Sequence, residues 1–510
     1  MILCLFVLLL CSPYATLAQT NSPDSSFQKQ FSAFNASINN EFNTFIQHND
    51  SVFLQFLSQS WKEFDAVPNK MPSPPKPAIP PVYAPVVKPS IPTVDSLPPA
   101  LPAQPSVEPL PQQNPTPIND QLKPEIKIQP VDEPSTHVET EPLPIQSSIS
   151  NVPPMGRFEF FGTNFNIPIA IQQLPVLSQV SKQSIEKYLL AAFASPTLNN
   201  TAATLKKEAD ECSLNDWGLA NLCMKAARQI YPHPNDQIMF TWFALIRSGF
   251  NVKIGYNEQN VYLLIPSNQK LYEYSYAVNG IAYYLLNLGA GQPEPQHLRI
   301  HEADYPNTTA GLSFLITQTP GLKNLFIPKT IAYTPALQFS LNKNLIDFYS
   351  LYPQCELYVF FKAPLSANAL TQLDTYFLKA LQSKNDDDKV AFLLHFMHVA
   401  IPYKTDREQF GHEKYLFADE TLFYPAADCE DRAILLAKLI NRYTSCKVIA
   451  LSYPTHVSLA VNLSSLPAGK YIAYKNLRYY HCDPTYIGAS CGMPMPDFEN
   501  VIPEIIDFNL

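Results

Sequence analysis

Cys429 lies in a segment where its sulfur could act as a nucleophile. Apolar residues recur after it at helical spacing, at Ala433, Leu436, Ala437 and Ile440. This pattern predicts a helix that begins near Asp428. A thiol in the first turn of a helix lies beside unpaired backbone N–H groups and partial positive charge, which lower its pKa and could stabilise an oxyanion. The alternative is a buried structural cysteine or a disulfide partner.

A histidine and an aspartate lie at the ends of strands predicted after this helix. His456 begins the strand HVSLAV, and Asp483 comes directly after another predicted strand, Leu477–Cys482. In a thiol hydrolase, His456 would take the proton of the thiol while Asp483 holds the other ring nitrogen. A lone histidine on a strand is more often structural, so only the combination favours chemistry.

The segments DCEDRAILLAKLI, HVSLAV and YYHCDPTY resemble the transglutaminase-like superfamily, the papain-like branch that contains transglutaminases, bacterial transglutaminase-like cysteine proteinases and peptide N-glycanases. An approach helix, VAFLLHFMHVAIPY, precedes the cysteine at the family's spacing, and the resemblance covers 389–500. The resemblance implies a papain-like core, in which a helix bearing the cysteine packs on an antiparallel sheet. It also implies that Cys429 is the nucleophile, His456 the general base and Asp483 the third member of a triad.

The residue before Asp428 departs from the family pattern. The family usually has glycine there, and this chain has Ala427. Its β-carbon would narrow the approach of a substrate to Cys429. Tyr424 is a candidate for a side chain that stabilises the oxyanion.

Other polar clusters give weaker signals. Asn385–Asp388 resembles a cation-binding cluster, and some bacterial members of the superfamily need calcium. These residues come directly before a predicted helix, where acids are more often caps. His395 and His398 share a helix face, and we interpret them as core or rim residues. The sequence predicts no metal and no cofactor, and it has no glycine-rich phosphate loop.

Composition excludes several classes of protein. The 510 residues exceed what one hydrophobic core usually supports, so two or more folded units are expected. A net charge of −9, with no Lys/Arg cluster, argues against nucleic-acid binding. Outside the N-terminus, no apolar run approaches the roughly 18 residues of a membrane-spanning helix.

The N-terminus is typical of a secretory signal. Ile2–Cys11 is continuously apolar, and the small residues before Gln19 form an acceptable cleavage site. We therefore expect a secreted protein, either periplasmic or on a bacterial cell surface.

Secretion changes how the cysteines are interpreted. The mature chain would keep seven of the nine, enough for up to three disulfides and one free thiol. The local candidate pairs are Cys212–Cys223 and Cys482–Cys491. If Cys429 is the nucleophile, it should be the free cysteine.

A stripe of aromatic and aliphatic residues precedes a proline-rich tract. The stripe consists of Phe27, Phe31, Phe34, Ile38, Phe42 and Phe45. It predicts an amphipathic helix that either packs on the chain itself or binds a protein partner. Of the 49 prolines, 25 fall between Pro68 and Pro154, which predicts a disordered, protease-sensitive spacer.

After this tract, helices and strands alternate in the order typical of an α+β protein. The predicted segments are a signal peptide (1–18), the amphipathic helical segment (21–66), the proline-rich linker (67–155), an α+β subdomain (156–295), a β-rich subdomain (296–370) and the catalytic domain (371–510). The runs LSFLITQ and ELYVFFK are predicted strands of the β-rich subdomain.

Residues 213–279 resemble the segment around Cys429, so the chain could contain a degenerate first copy of the core. The corresponding segments are Pro234–Ile246 for the cysteine helix, Asn260–Ile265 for the histidine strand and Lys270–Tyr274 for the strand before the aspartate. Asn235 or Asp236 would replace the cysteine and Asn260 the histidine, so this copy should be inert. The alternative is that any helix followed by three strands looks alike.

The sequence thus predicts a secreted cysteine hydrolase of the transglutaminase-like type. It would cleave a peptide or amide bond in a protein or peptide substrate. The alternative is a non-catalytic binding or assembly module at the cell surface that retains the fold.

Overall fold

The computed structural model describes residues 63–69, 82–84, 155–169 and 174–508. Within the last range, residues 287, 290–292, 302–304, 307, 309, 466 and 467 are not described. The predicted signal peptide, the aromatic helix as far as residue 62 and most of the proline-rich tract lie outside the described residues.

The helices are α1 (Lys182–Ala194), α2 (Pro196–Glu211), α3 (Asp216–Ile230), α4 (Pro234–Arg247), α5 (Lys343–Tyr349), α6 (Leu357–Lys362), α7 (Ala367–Ala380), α8 (Asp386–Ala400), α9 (Asp406–Gln409), α10 (Ala418–Phe423) and α11 (Cys429–Tyr443). The strands are β1 (Glu63–Ala66), β2 (Val82–Tyr83), β3 (Met155–Phe160), β4 (Thr163–Pro168), β5 (Lys253–Tyr256), β6 (Val261–Pro266), β7 (Ser275–Val278), β8 (Ile281–Leu285), β9 (Leu298–His301), β10 (Phe326–Ile331), β11 (Leu337–Asn342), β12 (Val448–Tyr453), β13 (His456–Val461), β14 (Tyr471–Tyr474), β15 (Leu477–Cys482), β16 (Tyr486–Ile487) and β17 (Glu504–Ile506). This mixture of helices and antiparallel sheets is that of an α+β protein, as predicted.

The long helices of the two modules begin in different ways, and only one of the three described next has a side-chain cap. Asn385 accepts a hydrogen bond from the Asp388 N–H at 2.8 Å, which fixes the start of α8. Helix α4 begins with Pro234, whose missing N–H costs nothing at the first helical position. Helix α11 begins after Asp428, whose side chain makes no cap hydrogen bond.

Two antiparallel sheets contain most of the strands. The first has the order β1-β9-β5-β6-β8-β7, and the second has the order β14-β15-β13-β12-β17. We call 216–301 the first module and 386–506 the second module. Two long helices precede four strands in each module, although in the second module the short helices α9 and α10 lie between the two long ones. The four strands are ordered 1-2-4-3 in the sheet, and a later strand pairs on the outer side of the first.

The hairpin that begins each sheet has the same register. Tyr256 pairs with Val261 in the first module, as Tyr453 pairs with His456 in the second. Val261, rather than the predicted Asn260, therefore occupies the position of His456.

The next pair of strands is also equivalent. In the first module, Leu264, three residues after Val261, pairs with Leu285. In the second, Leu459, three residues after His456, pairs with Cys482. The strand that corresponds to Leu477–Cys482 is thus β8. The predicted correspondence with Lys270–Tyr274 is wrong, because that segment is a loop before β7.

Some predicted elements differ from the structure. Glu63–Ala66 is strand β1, which extends the first sheet beside β9, and not the end of a helix. ELYVFFK forms α6 rather than a strand, and LSFLITQ has no regular structure. The segment 296–370 contains α5 and α6 as well as strands β9, β10 and β11. Helix α6 is buried on most of its surface, so its apolar run lacks the spacing of an amphipathic helix.

The largest of three apolar clusters in the described residues extends from Phe158 to Phe508. Residues 153–510 form one compact unit together with the described residues before 85. The predicted boundaries at 295 and 370 therefore do not separate independent cores. Helix α11 lies in the middle of this core, with nearly every residue buried, so its first residue is held by packing on several sides.

Candidate active site

Cys429 is the first residue of α11 and is only 1% exposed. Its sulfur accepts a hydrogen bond from the backbone N–H of Val457 at 3.4 Å. Val457 follows His456 on β13, so the helix start and the strand that carries the histidine are in direct contact.

His456 and Asp483 form a buried pair. His456 Nε2 lies 2.7 Å from Asp483 Oδ2, while the backbone N–H groups of Thr485 and Tyr486 donate to Asp483 Oδ1 at 2.8 and 3.3 Å. Burial tends to raise the pKa of the Asp483 carboxyl, but His456 and these two donors together hold it below its usual value. The ring stacks on Phe498, with centroids 5.0 Å apart. His456 Nδ1 has no hydrogen-bond partner within the described part of the chain.

The thiol of Cys429 is directed to a carboxylate and not to the imidazole. It donates to Glu430 Oε2 at 3.2 Å, and no hydrogen bond joins it to His456 among the described residues. Burial, followed by the charges of Glu430 and Asp428, raises the pKa of the Cys429 thiol well above its usual value. The expected lowering of the thiol pKa by the helix N-terminus is therefore outweighed in this structure.

Five acidic residues surround the start of α11. Carboxylate oxygens of Asp406, Glu413 and Glu430 lie within 4.8 Å of one another, as do those of Asp406, Asp428 and Asp431. Burial and mutual repulsion raise the pKa values of Asp428, Glu430 and Asp431 well above normal. Burial likewise raises the pKa of Asp406 to about 7.

This acidic cluster has the donor set of a site for a hard divalent cation. Both carboxylate oxygens of Asp428, Oε1 of Glu430 and Oδ2 of Asp431 are buried and accept no hydrogen bond from the described residues. Calcium takes six to eight oxygen ligands, many of them carboxylates. Asp406, Glu413, Asp428, Glu430 and Asp431 are therefore the residues that would hold such an ion.

Asn385 caps α8, whereas the carboxylates of Asp386 and Asp387 bind backbone N–H groups of other segments. The Asp386 carboxylate accepts from Ser445 N–H at 2.8 Å, and that of Asp387 accepts from Ser464 N–H at 2.9 Å. Together with the Asn385 cap, these hydrogen bonds confirm the structural interpretation of Asn385–Asp388.

Two side chains that the sequence analysis did not assign to the site support the Asp483 loop. Arg432 is 1% exposed and donates to the backbone oxygens of Pro484 and Met397 at 2.7 and 2.9 Å. His398 accepts from Gly488 N–H at Nδ1 (3.3 Å), which leaves Nε2 to donate to the Asp483 carbonyl oxygen (3.1 Å). His398 is therefore more than a core or rim residue. In the sequence, the only signal for His398 is that it shares a helix face with His395, and this does not reveal a partner 85 residues away.

Tyrosines lie on both sides of the Cys429 segment. Tyr424, the predicted oxyanion residue, packs on Phe410 with ring centroids 5.0 Å apart, and no hydrogen bond joins it to Cys429 among the described residues. Tyr403 pairs with Ala427 in a short bridge, two residues before Cys429. Burial, followed by the charge of Cys429, raises the pKa of the Tyr403 phenol.

The first module has apolar residues at the positions of the three candidates. Helix α4 has Pro234 at its first position, where α11 has Cys429. Val261 replaces His456, and Leu286, directly after β8, replaces Asp483. None of these side chains can act as a nucleophile, base or hydrogen-bond acceptor.

The seven cysteines of the predicted mature chain are all thiols in this structure. The sulfurs of Cys482 and Cys491 lie 2.9 Å apart, so of the two predicted local pairs this one is in contact. Cys212 and Cys223 are not bonded to each other.

The chain matches no protein-family model, no curated protein and no solved structure. In the part of the chain that the structure describes, no helix combines the length and apolar character needed to cross a membrane.

Proposed function

We propose that the protein is a secreted cysteine hydrolase of the transglutaminase-like class. The observation that carries this proposal is the His456–Asp483 pair at 2.7 Å, which lies one residue from the N–H that contacts the Cys429 sulfur. Asp483 holds Nε2, so the other ring nitrogen, Nδ1, is the one available to accept the thiol proton.

The reaction would proceed through a thioester. His456 Nδ1 accepts the proton of Cys429 while the sulfur attacks the carbonyl carbon of a peptide or amide bond. The tetrahedral intermediate collapses, and the protonated imidazole transfers its proton to the departing amine. Water, deprotonated by the same nitrogen, then hydrolyses the thioester to a carboxylic acid and regenerates the thiol.

The first module is proposed to be an inert copy of the same papain-like core. Matching strand order and matching register at two strand pairs support this view. With Pro234, Val261 and Leu286 at the decisive positions, it would serve as a packing partner or substrate platform.

A second function, a non-catalytic binding or assembly module, is favoured by one observation. The Cys429 thiol is 1% exposed and hydrogen-bonded to Glu430 instead of His456. In a module of this type, the three residues would remain only as parts of the core.

Alkylation of Cys429 separates the two functions. Purified protein is treated with iodoacetamide, and the rate at each cysteine is measured by peptide mass spectrometry, in parallel with hydrolysis of casein. For the enzyme, His456→Ala slows hydrolysis by about 10²-fold or more, the usual contribution of a general base, and slows alkylation of Cys429. The exposed His412→Ala is the matched control and should change neither rate. Equal alkylation in both variants, with no hydrolysis by the parent protein, would favour the binding module.

A further inference from the structure

A short part of the proline-rich tract is docked beside the candidate active site. Strand β2 pairs in parallel with β16, and the Ala84 N–H donates to the Ile487 carbonyl oxygen at 2.9 Å. Strand β16 begins at Tyr486, whose own N–H donates to Asp483 Oδ1. The docked segment therefore pairs with the same turn that holds the aspartate.

The side chains of this segment reach the surroundings of His456. Val82 and Ala84 pack against an apolar cluster that contains Tyr453 and Phe498. Both rings also stack on His456, with centroids 6.3 and 5.0 Å from that of the imidazole. Tyr83, on the other side of the strand, is 72% exposed, which is the alternation of a peptide bound to a sheet edge.

The local sequence suits this mode of binding. Pro80 and Pro81 precede the strand and Pro85 follows it. Proline restricts the chain to extended conformations, so little conformational entropy is lost when such a peptide pairs with an edge. Backbone pairing supplies contacts that depend little on side-chain identity, while alternate side chains supply specificity.

We propose that the Tyr486–Ile487 edge binds extended, proline-flanked apolar peptides for the Cys429 site, and that Val82–Ala84 occupies this edge as a built-in competitor. The proposal rests on the proposed hydrolase function and names its substrate class. The competitor is tethered closely, because the Asn69 N–H is held by the Ser275 carbonyl oxygen at 2.7 Å. A short tether gives an effective concentration in the millimolar range, so a free peptide would bind weakly to the parent protein.

The test uses the full chain and a fluorescein-labelled peptide of residues 79–88, IPPVYAPVVK. Ala84→Pro removes the N–H that donates to Ile487, whereas the matched control Ala84→Ser keeps it. By fluorescence anisotropy, the Ala84→Pro protein should bind the peptide at least about tenfold more tightly than the parent or the control protein. Val82→Asn, which removes an apolar contact and retains the backbone donor, should also tighten peptide binding. The peptide that itself carries Ala84→Pro should not bind.

The same peptide should slow alkylation of Cys429 in the Ala84→Pro protein, over the concentration range in which it binds. Equal affinity for all proteins, or binding that leaves the alkylation rate unchanged, would overturn the proposal. Failure of the hydrolase function has a different signature. In that case casein hydrolysis is absent and His456→Ala alkylates normally, while the anisotropy of the peptide with Cys429→Ala, Ala84→Pro protein still reports whether the edge binds.

Discussion

The ammonium group of Lys438 lies on α11, the helix that begins with Cys429, and faces the interior. It donates to the backbone oxygen of Phe361. Burial, aided by nearby Lys362, lowers its pKa from 10.5 to about 7. The folded protein therefore binds this proton less tightly than the unfolded chain does.

Lys438→Met should raise the free energy of unfolding at neutral pH by an amount on the order of a few kcal/mol, because each pKa unit corresponds to about 1.4 kcal/mol. In the parent protein, the unfolded state holds more protons than the folded state between pH about 7 and 10. The contribution of Lys438 to stability therefore rises with pH across this window and is level below it. Urea unfolding at several pH values should show this slope in the parent protein and in the exposed control Lys379→Met. A slope that survives in Lys438→Met would contradict the assignment.

Cys482 and Cys491 should form a disulfide when the protein is oxidised. The residues next to them are already joined, because the Gly492 N–H donates to the His481 carbonyl oxygen at 2.7 Å. Oxidised glutathione would accept the two electrons and two protons that the thiols lose. Closing so short a loop should stabilise the fold by about 2–3 kcal/mol. Non-reducing mass mapping should find this bridge with Cys429 free, and Cys491→Ser should abolish the gain in thermal midpoint. A bridge from Cys429 to another cysteine would remove the proposed nucleophile.

At the scale of elements, the helix and strands around the candidate site were the easier part to predict. Helix α11 and strands β12, β13 and β15 follow from apolar spacing, and local sequence is enough because each is bounded by turn residues or caps. Helix α6 was predicted as a strand because its spacing loses the helical period once it is buried on most of its surface. The sequence predicted Lys270–Tyr274 as the strand that corresponds to Leu477–Cys482, but the structure has β8 in that place. Strand order depends on which strands pair, and a single sequence does not show this pairing.

The acidic cluster could not be predicted for a related reason. Acids such as Asp428, Glu430 and Asp431 are common in the first turn of a helix, so their positions in the sequence do not indicate that they are buried together. The approach of Asp406, the first residue of α9, and of Glu413, in the segment that follows α9, depends on tertiary packing. The same holds for Arg432 and His398, whose partners are backbone atoms distant in sequence.

Added calcium should stabilise the protein through the acidic cluster. Binding to the folded state alone raises the free energy of unfolding by about 1.4 kcal/mol for each tenfold excess over the dissociation constant. Differential scanning fluorimetry should therefore show a thermal midpoint that rises with calcium chloride and falls again with a chelator. Asp428→Asn should lose this dependence. The control Asp386→Asn, which alters an acid that is already hydrogen-bonded by Ser445, should keep it. Equal responses in the two variants would place the ion elsewhere.

At the scale of the whole molecule, two short described segments before residue 85, 63–69 and 82–84, are part of the folded unit. Strand β1 pairs with β9 over its whole length, and the Tyr256 hydroxyl donates to the Glu63 carboxylate at 2.6 Å. Strand β2 adds the contact with β16. The predicted helical segment therefore includes a strand of the first sheet, and the predicted linker includes a strand that forms a separate two-stranded sheet with β16.

Limited proteolysis should cut within the proline-rich tract, between residues 85 and 152, and leave a large fragment that begins near 150. Because β1 and β2 pair with that fragment, the two pieces should elute together from a sizing column under native conditions and separate in urea. Glu63→Ala, which removes the hydrogen bond from Tyr256, should weaken this association. Asp65→Ala, which removes only a solvent-exposed ion pair with Arg299 at 3.7 Å, should change it much less. Immediate separation of the parent fragments would show that these strand pairings contribute little to stability.

The positions of Cys429, His456 and Asp483 in the second module correspond to Pro234, Val261 and Leu286 in the first. This difference should give the two modules different local stabilities. Active sites reduce stability, because polar groups must be buried and held in place for chemistry. The second module contains the candidate site and buried carboxylate oxygens of Asp428, Glu430 and Asp431 that accept no hydrogen bond from the described residues, whereas the first has apolar side chains at the corresponding positions. Slow amide hydrogen exchange should therefore persist longest around α4 and β6, and opening should begin at the turn after Asp483. The first module would then act as a rigid frame for the second module, which contains the candidate site.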